Sequence, residues 1–162
     1  EAAGKVRSQG IEFEINGALT PNWQLGAGYT FAQAKYEKDA DKRKEGTLFD
    51  TDVPRHMFKA NTTYHLQGDL NKLRIGANVY SQSGTYNKGS NVFGNFHIEQ
   101  KAYAVVGLMA GYQVNKHLDT QLNINNVFDK KYYQGIASNS TWSPYDVYGD
   151  PRNISVTAKY AF

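Results

Sequence analysis

From Ile11 the odd positions Ile11, Phe13, Ile15 and Leu19 are apolar, and Glu12, Glu14 and Asn16 between them are polar. A period of two is the signature of a strand with one face in an apolar medium and the other in a polar one. The pattern recurs along the chain. Trp23, Leu25, Ala27, Tyr29 and Phe31 alternate with Gln24, Gly26, Gly28 and Thr30; Phe58, Ala60, Thr62, Tyr64 and Leu66 with Lys59, Asn61, Thr63 and His65; Leu73, Ile75, Ala77 and Val79 with Arg74, Gly76 and Asn78. Three more runs follow, through Ala104 to Val114, Leu118 to Phe128, and Ile154 to Phe162. Seven antiparallel strands are predicted.

About ten residues rising ~3.3 Å each and tilted ~45° span roughly 23 Å, close to the ~25 Å apolar band of an outer-membrane barrel. A soluble lipocalin-like barrel shows the same alternation with its apolar face turned inward. Connection lengths separate the two. The links Thr20 to Asn22, Gln67 to Lys72 and Asn115 to His117 are short, whereas Glu37 to Pro54, Gln82 to Lys101 and Asp129 to Pro151 are long. Strict short-long alternation puts every long loop at one rim, as in membrane barrels with tight periplasmic turns and extended external loops. On that assignment Trp23, Tyr64, Tyr112, Tyr160 and Phe162 fall near the periplasmic boundary and Phe31, Phe58 and Phe128 near the outer one, the two aromatic girdles such barrels carry.

Seven strands leave two open edges, which lipid does not tolerate, and bacterial single-chain barrels have even strand numbers. The expectation is therefore an all-β antiparallel transmembrane segment belonging to a larger barrel. The start EAAGKVRSQG, without an initiator Met or signal region, is read as a truncation.

Composition agrees with strands and narrows the chemistry. Hydrophobic residues are 40%, mean hydropathy is -0.63, and 12 Tyr, 8 Phe, 2 Trp and 15 Gly are present, so β structure without a large dry core is expected. No stretch approaches the ~20 apolar residues of a membrane helix. The absence of Cys removes disulfides, thiolate metal sites and Cys nucleophiles. The net charge of +3 is spread out, with no basic block or RNA-type aromatic motif, which argues against nucleic acid as a partner.

A more specific signal lies in Asn125-Asn126-Val127-Phe128-Asp129-Lys130-Lys131-Tyr132-Tyr133, which resembles the segment before the last external loop of TonB-dependent receptors. Tyr148-Gly149-Asp150-Pro151-Arg152-Asn153 is similar to the Gly-x-Pro-Arg element opening that family's final strand. The terminal Tyr160 and Phe162 resemble an outer-membrane assembly signal. The resemblance implies the last seven strands of a barrel of about 22, from a ferric-siderophore receptor of the hydroxamate or pyoverdine type in the outer membrane of a Gram-negative bacterium. It further implies a plug domain upstream of residues 1–162, energy delivered by TonB to that plug, insertion by the barrel assembly machinery, contact with outer-membrane lipid, a ferric siderophore as ligand, and no covalent cofactor.

The elements of the motif also have ordinary structural readings. Pro151 suits a strand start, Gly149 permits a turn, and Asn125 and Asn126 can hydrogen-bond a rim. Strict alternation places Asp129 inward and Arg152 outward, so no ion pair is expected between them unless the rim is distorted. In the long loops, Tyr86, Asn87, Phe93 and Phe96, and Tyr133, Trp142, Tyr145 and Tyr148, are candidates to grip a flat chelate. Their packing against one another is the competing reading. His56, His65, His97 and His117 lack metal-ligand spacing, and Asp39, Asp41, Asp50 and Asp52, interleaved with Lys42, Arg43 and Lys44, lack the calcium-loop pattern. No catalytic site is read; a passive porin is the alternative function, and an enzymatic or adhesin-like barrel a more distant one.

Overall fold

A computed structural model describes residues 4–91, 94–136 and 146–162. Strands β1 (Lys5–Thr20) and β2 (Trp23–Lys38) form a hairpin closed by Pro21 and Asn22, and a loop with a short 3-10 turn at Lys42–Lys44 leads to β3 (His56–His65). Residues 66–72 turn the chain into β4 (Leu73–Gln82), using a left-handed Gly68 at φ 64° that a side chain would strain. A separate hairpin of β5 (Thr85–Asn91) and β6 (Gly94–Gln100) precedes β7 (Tyr103–Gln113) and β8 (Leu118–Asn125). A second small hairpin, β9 (Tyr133–Ile136) with β10 (Asp146–Tyr148), precedes β11 (Asn153–Tyr160).

The main sheet runs β1-β2-β3-β4-β7-β8-β11, antiparallel throughout, with the two small hairpins standing outside it. Its seven strands are those the alternation predicts, and their register is continuous from Trp23 opposite Tyr64, through Tyr64 opposite Ile75 and Ile75 opposite Ala110, to Ala110 opposite Leu122. A one-residue slip would exchange the two faces, so the pattern itself fixes this register.

Several boundaries differ from expectation. The first strand begins at Lys5 rather than Ile11, and its partner continues to Lys38. Sixteen residues tilted ~45° rise roughly 37 Å, more than the ~25 Å band, so this pair stands clear of it at the long-loop rim. Conversely β8 stops at Asn125, because Asn126 turns left-handed at φ 48°, and Phe128 sits in the following turn, 76% exposed, rather than on the strand.

No apolar core lies between layers. Among the described residues only Tyr103 and Ile136 are buried apolar side chains, while Ile11, Phe13, Ile154 and Val156 are each more than 60% exposed. A sheet with this distribution has an apolar face made for hydrocarbon. Aromatic pairs mark its short-turn edge: Trp23 meets Tyr64 edge-on at 6.5 Å and Tyr160 meets Phe162 at 5.2 Å. At the other edge Phe31 lies 5.0 Å from His56, which also hydrogen-bonds the Tyr29 hydroxyl at 2.8 Å. The Trp23 indole N–H is not left bare in the apolar face; it donates to Thr62 Oγ1 at 2.7 Å, and Thr62 donates onward to the Gln24 carbonyl at 2.9 Å.

The inward face is built from polar side chains lying over glycine. Arg74 sits opposite Gly111, which sits opposite Gln121, and the guanidinium crosses Gly111 to donate to both carboxylate oxygens of Asp119 at 2.7 and 2.6 Å. A Cβ at Gly111 would collide with the guanidinium. Likewise Asn78 covers Gly107, where a Cβ would fall 2.7 Å from the amide nitrogen. Gly111→Val in the full-length barrel is expected to displace Arg74 and lower stability by about 1–3 kcal/mol, the usual range for overpacking. The urea midpoint of the refolded protein in detergent checks this; an unchanged midpoint would show that Gly111 is not needed for the strut.

Candidate ligand-binding rim

The described parts of the long connections, both small hairpins among them, lie at one rim. The segment after β8 is organised around Asn126, only 3% exposed. Its amide donates to the carbonyls of Lys130 and Asp150, each at 2.9 Å, and its Oδ1 accepts from the Lys130 N–H at 2.8 Å. One side chain thus closes the turn and ties it to the chain entering β11. Asn is suited to the position because it tolerates the left-handed backbone that its short amide helps to satisfy.

Asp129, also left-handed at φ 50°, accepts a hydrogen bond from the backbone N–H of Arg152 at 3.0 Å. Alternation does not extend past Asn125, so the expected inward and outward placement of the two residues does not hold. The rim is distorted enough for them to meet, yet the bond runs to the main chain of Arg152 and not to its guanidinium. Pro151, two residues before β11, leaves no N–H to satisfy at this crowded junction.

Tyr132 lies against Gly149, where any Cβ would fall inside the ring, and the Gly149 N–H donates to the Tyr132 carbonyl at 2.9 Å. The Tyr132 ring also packs at a tilt against Tyr103, with ring centres 4.4 Å apart. Tyr103 and Tyr80 both donate to Gln82 Oε1, at 3.1 and 2.7 Å. Burial, with Asp150 nearby, pushes the Tyr132 hydroxyl above the ordinary tyrosine range and keeps it neutral. Gln100, at the foot of β6, accepts the Tyr133 N–H at 2.6 Å and so joins the two hairpins at their bases. Sequence reading did not single out Tyr80, Gln82, Gln100 or Tyr103 for the rim, their signal being polar or aromatic character at or beside the ends of predicted strands.

The candidate contact residues divide. Tyr133 and Tyr148 pair across β9 and β10 with rings 4.8 Å apart and hydroxyls at 3.3 Å, a contact that raises the Tyr133 pKa. Tyr148 is 70% exposed and offers its face outward. On the other hairpin Tyr86 and Asn87 point to opposite faces. Asn87 is buried and shares its face with Phe96, which packs over Gly89. Tyr86 instead meets His97 edge-on at 6.0 Å with the Lys88 ammonium 5.9 Å above its ring. Phe93, Trp142 and Tyr145 lie outside the described residues.

The start of the loop between β2 and β3 pairs its charges internally. Asp41 binds the Arg43 guanidinium at 2.9 Å, Lys42 pairs with Glu45 at 2.8 Å, and these partners hold both carboxylates below their ordinary pKa values. No cluster of three metal-ligating side chains occurs among the described residues.

An antiparallel wall with a lipid-type face, a polar inner face, tight turns at one rim and folded loops at the other is a section of an outer-membrane β-barrel. Residues 1–127 match the family model described as TonB dependent receptor-like, beta-barrel. The chain is 41% identical over 156 residues to a ferric-pyoverdine BN7/BN8 receptor of Pseudomonas putida, covering 96% of this chain and 17% of that protein. It is 38% identical over 160 residues to the ferric-pyoverdine M114 receptor PbuA of Pseudomonas sp. (strain M114), covering 99% and 19%. The crystal structure of the outer-membrane ferripyoverdine receptor of Pseudomonas aeruginosa, bound to ferripyoverdine, superposes with a TM-score of 0.83 at 33% identity over 97% of this chain and 20% of that one. The chain belongs to the TonB-dependent receptor β-barrel family and is a fragment of such a barrel, a multi-pass outer-membrane structure of Gram-negative bacteria. It spans about a fifth of the length of these relatives.

Asn126→Ala removes three hydrogen bonds from a buried side chain, a local cost of about 1–3 kcal/mol. Cleavage within residues 129–151 during limited proteolysis of the full-length receptor is expected to accelerate by about tenfold, the equivalent of 1.4 kcal/mol. Unaltered cleavage would mean that Asn126 does not hold the loop.

Proposed function

We propose that the full-length protein is an outer-membrane receptor that binds a ferric siderophore of the pyoverdine type at this rim and imports it with energy delivered by TonB. The observation that carries this reading is likeness to ferric-pyoverdine receptors along nearly the whole segment. In it, the chain is the closing part of the barrel, and a plug domain elsewhere in the protein occupies the lumen and receives TonB. A barrel of about 22 strands is too wide for side chains to seal and is typically plugged, so a bulky chelate passes only if the plug rearranges. The relatives are receptors and not enzymes, and the segment's part is wall and loops.

Tyr133 and Tyr148 supply an aromatic pair with hydroxyl tips, a surface that gives contact area at small entropic cost. Lys88 and Tyr86 add a cation over an aromatic face on the neighbouring hairpin. A flat, polar, partly anionic chelate matches both, whereas Asn87 and Phe96 support the hairpin from its other face.

Shortening residues 129–151, while keeping Arg152 and β11, is expected to weaken binding of ferric pyoverdine without reducing assembled barrel, because loops tolerate changes that ladders do not. Tyr148→Ala with Tyr133→Ala should weaken it by about tenfold, the loss of a well-placed aromatic contact. Uptake of iron-labelled pyoverdine by cells with and without TonB tests the energy coupling. Undiminished uptake without TonB would make the protein a passive channel and end the import reading.

Phe162→Ala addresses assembly separately. Insertion by the barrel assembly machinery, with the terminal aromatic as its signal, predicts less assembled protein at the surface and unchanged affinity in what assembles. Equal surface levels would remove that role from Phe162.

A further inference from the structure

At the short-turn edge the ladder between β8 and β11 ends, by register, with Tyr160 opposite Leu118. The next pair would be Ala161 with His117, each giving its N–H to the other's carbonyl as in a regular antiparallel ladder. Only half of that exchange is made by the backbone. The Ala161 N–H donates to the His117 carbonyl at 2.8 Å, but the His117 N–H is taken by the side chain of Asn115, 2.8 Å away, which closes the tight turn there. The His117 ring replaces the lost donor: its Nδ1 lies 2.9 Å from the Ala161 carbonyl. A carbonyl oxygen only accepts, so Nδ1 carries the proton in this contact.

The same ring lies over Tyr160, with centres 6.0 Å apart and planes 28° from parallel, and Tyr160 meets Phe162 edge-on at 5.2 Å. Residues two apart share a face, so Tyr160 and Phe162 stand side by side on the outward face, both exposed. That arrangement holds only while the chain between them stays extended, and Ala161 is the residue between them. Because β11 is an edge strand of the main sheet, a partner that adds a strand to it meets its side chains in the order this extension sets.

We propose that His117 is a positioning residue for the assembly signal: by holding Ala161 in strand geometry it fixes Tyr160 and Phe162 on one face, where the barrel assembly machinery meets them with β11 already lying against β8. The proposal rests on the assembly-signal reading given above for Phe162. The Nδ1 bond adds one residue to a ladder of eight pairs and so contributes little to its strength, yet it sets the course of the chain from Tyr160 to Phe162. The donor, rather than the aromatic ring, is the part of His117 that does this.

Two substitutions separate donor from ring. His117→Asn keeps an N–H donor the same number of bonds from the backbone as Nδ1 and removes the ring, whereas His117→Phe keeps a ring over Tyr160 and removes the donor. Each full-length protein, unfolded in urea, is presented to proteoliposomes holding the purified assembly machinery and, in parallel, to detergent micelles without it; folded barrel is counted by heat-modifiable gel mobility. In proteoliposomes His117→Phe is expected to assemble about fivefold more slowly than the parent, the weight of one ordinary hydrogen bond, and His117→Asn to stay near the parent, while in micelles all three fold alike. Equal rates for parent and His117→Phe in proteoliposomes would overturn the proposal, as would slowing of His117→Asn to the same extent, or equal slowing of His117→Phe in both settings, which would reduce the bond to ladder strength. Phe162→Ala is run alongside: if it alone is slowed in proteoliposomes, the His117 role fails and the signal reading stands; if it assembles at the parent rate, the signal reading fails and the His117 role with it.

Discussion

A backbone N–H or C=O in hydrocarbon has no water to turn to, and everything in this wall follows from that. Each strand must give its ladder to a neighbour over the full thickness of the band, which sets strand length, forbids irregular backbone there and drives every loop to a rim. Since lipid replaces a packed interior, the apolar side chains need not find one another. Ile11, Phe13 and Val156 lie open in the isolated sheet, as side chains meant for a liquid hydrocarbon do. Polar atoms on that face are the ones that require partners, and the chain from Trp23 through Thr62 to the Gln24 carbonyl provides them.

The same constraint explains how much could be read in the sequence. Between the boundaries of the band the two faces meet different solvents, so side chains such as Phe58, Ala60 and Tyr64 must alternate with Lys59, Asn61 and Thr63, and the alternation fixes strand number and register. Beyond the band both faces meet water and the signal ends. Lys5 to Gly10 therefore reads as an irregular tail although it is strand, and Thr85–Asn91 and Gly94–Gln100, rich in Gly and Asn, read as loop although they pair into a hairpin. The link from Asn115 to His117 was legible by its length alone, and its closure is the work of Asn115, whose side chain accepts from both the His117 and Leu118 N–H groups.

The family motif was legible as a pattern but not as a mechanism. Asn126, Asp129, Tyr132 and Gly149 are far apart in role when read along the chain, since inward and outward labels carried on from β8 mislead once Asn126 turns left-handed. In space each satisfies or shields backbone of the segment that re-enters the sheet: Asn126 reaches Asp150, Asp129 reaches Arg152, and Tyr132 covers Gly149. The motif residues thus serve to anchor a loop, and their neighbours, half-buried Tyr133 and exposed Tyr148, are left as the side chains that can meet something else.

Anchoring and exposure are coupled here by geometry. The long loop after β8 leaves and re-enters neighbouring strands, and without a clasp its closing entropy would be borne only by the ladder between β8 and β11. Asn126 shortens the free part of the loop from both ends, through Lys130 on one side and Asp150 on the other. Closure cost rises only slowly with loop length, so the chief effect of the clasp is positional rather than energetic. It sets where β9 and β10 begin, and Gln100 then fixes that hairpin against the foot of its neighbour. The aromatic pair Tyr133 and Tyr148, at the base of β9 and β10, is consequently tied to the wall beneath it, which is what selective recognition by a surface loop demands.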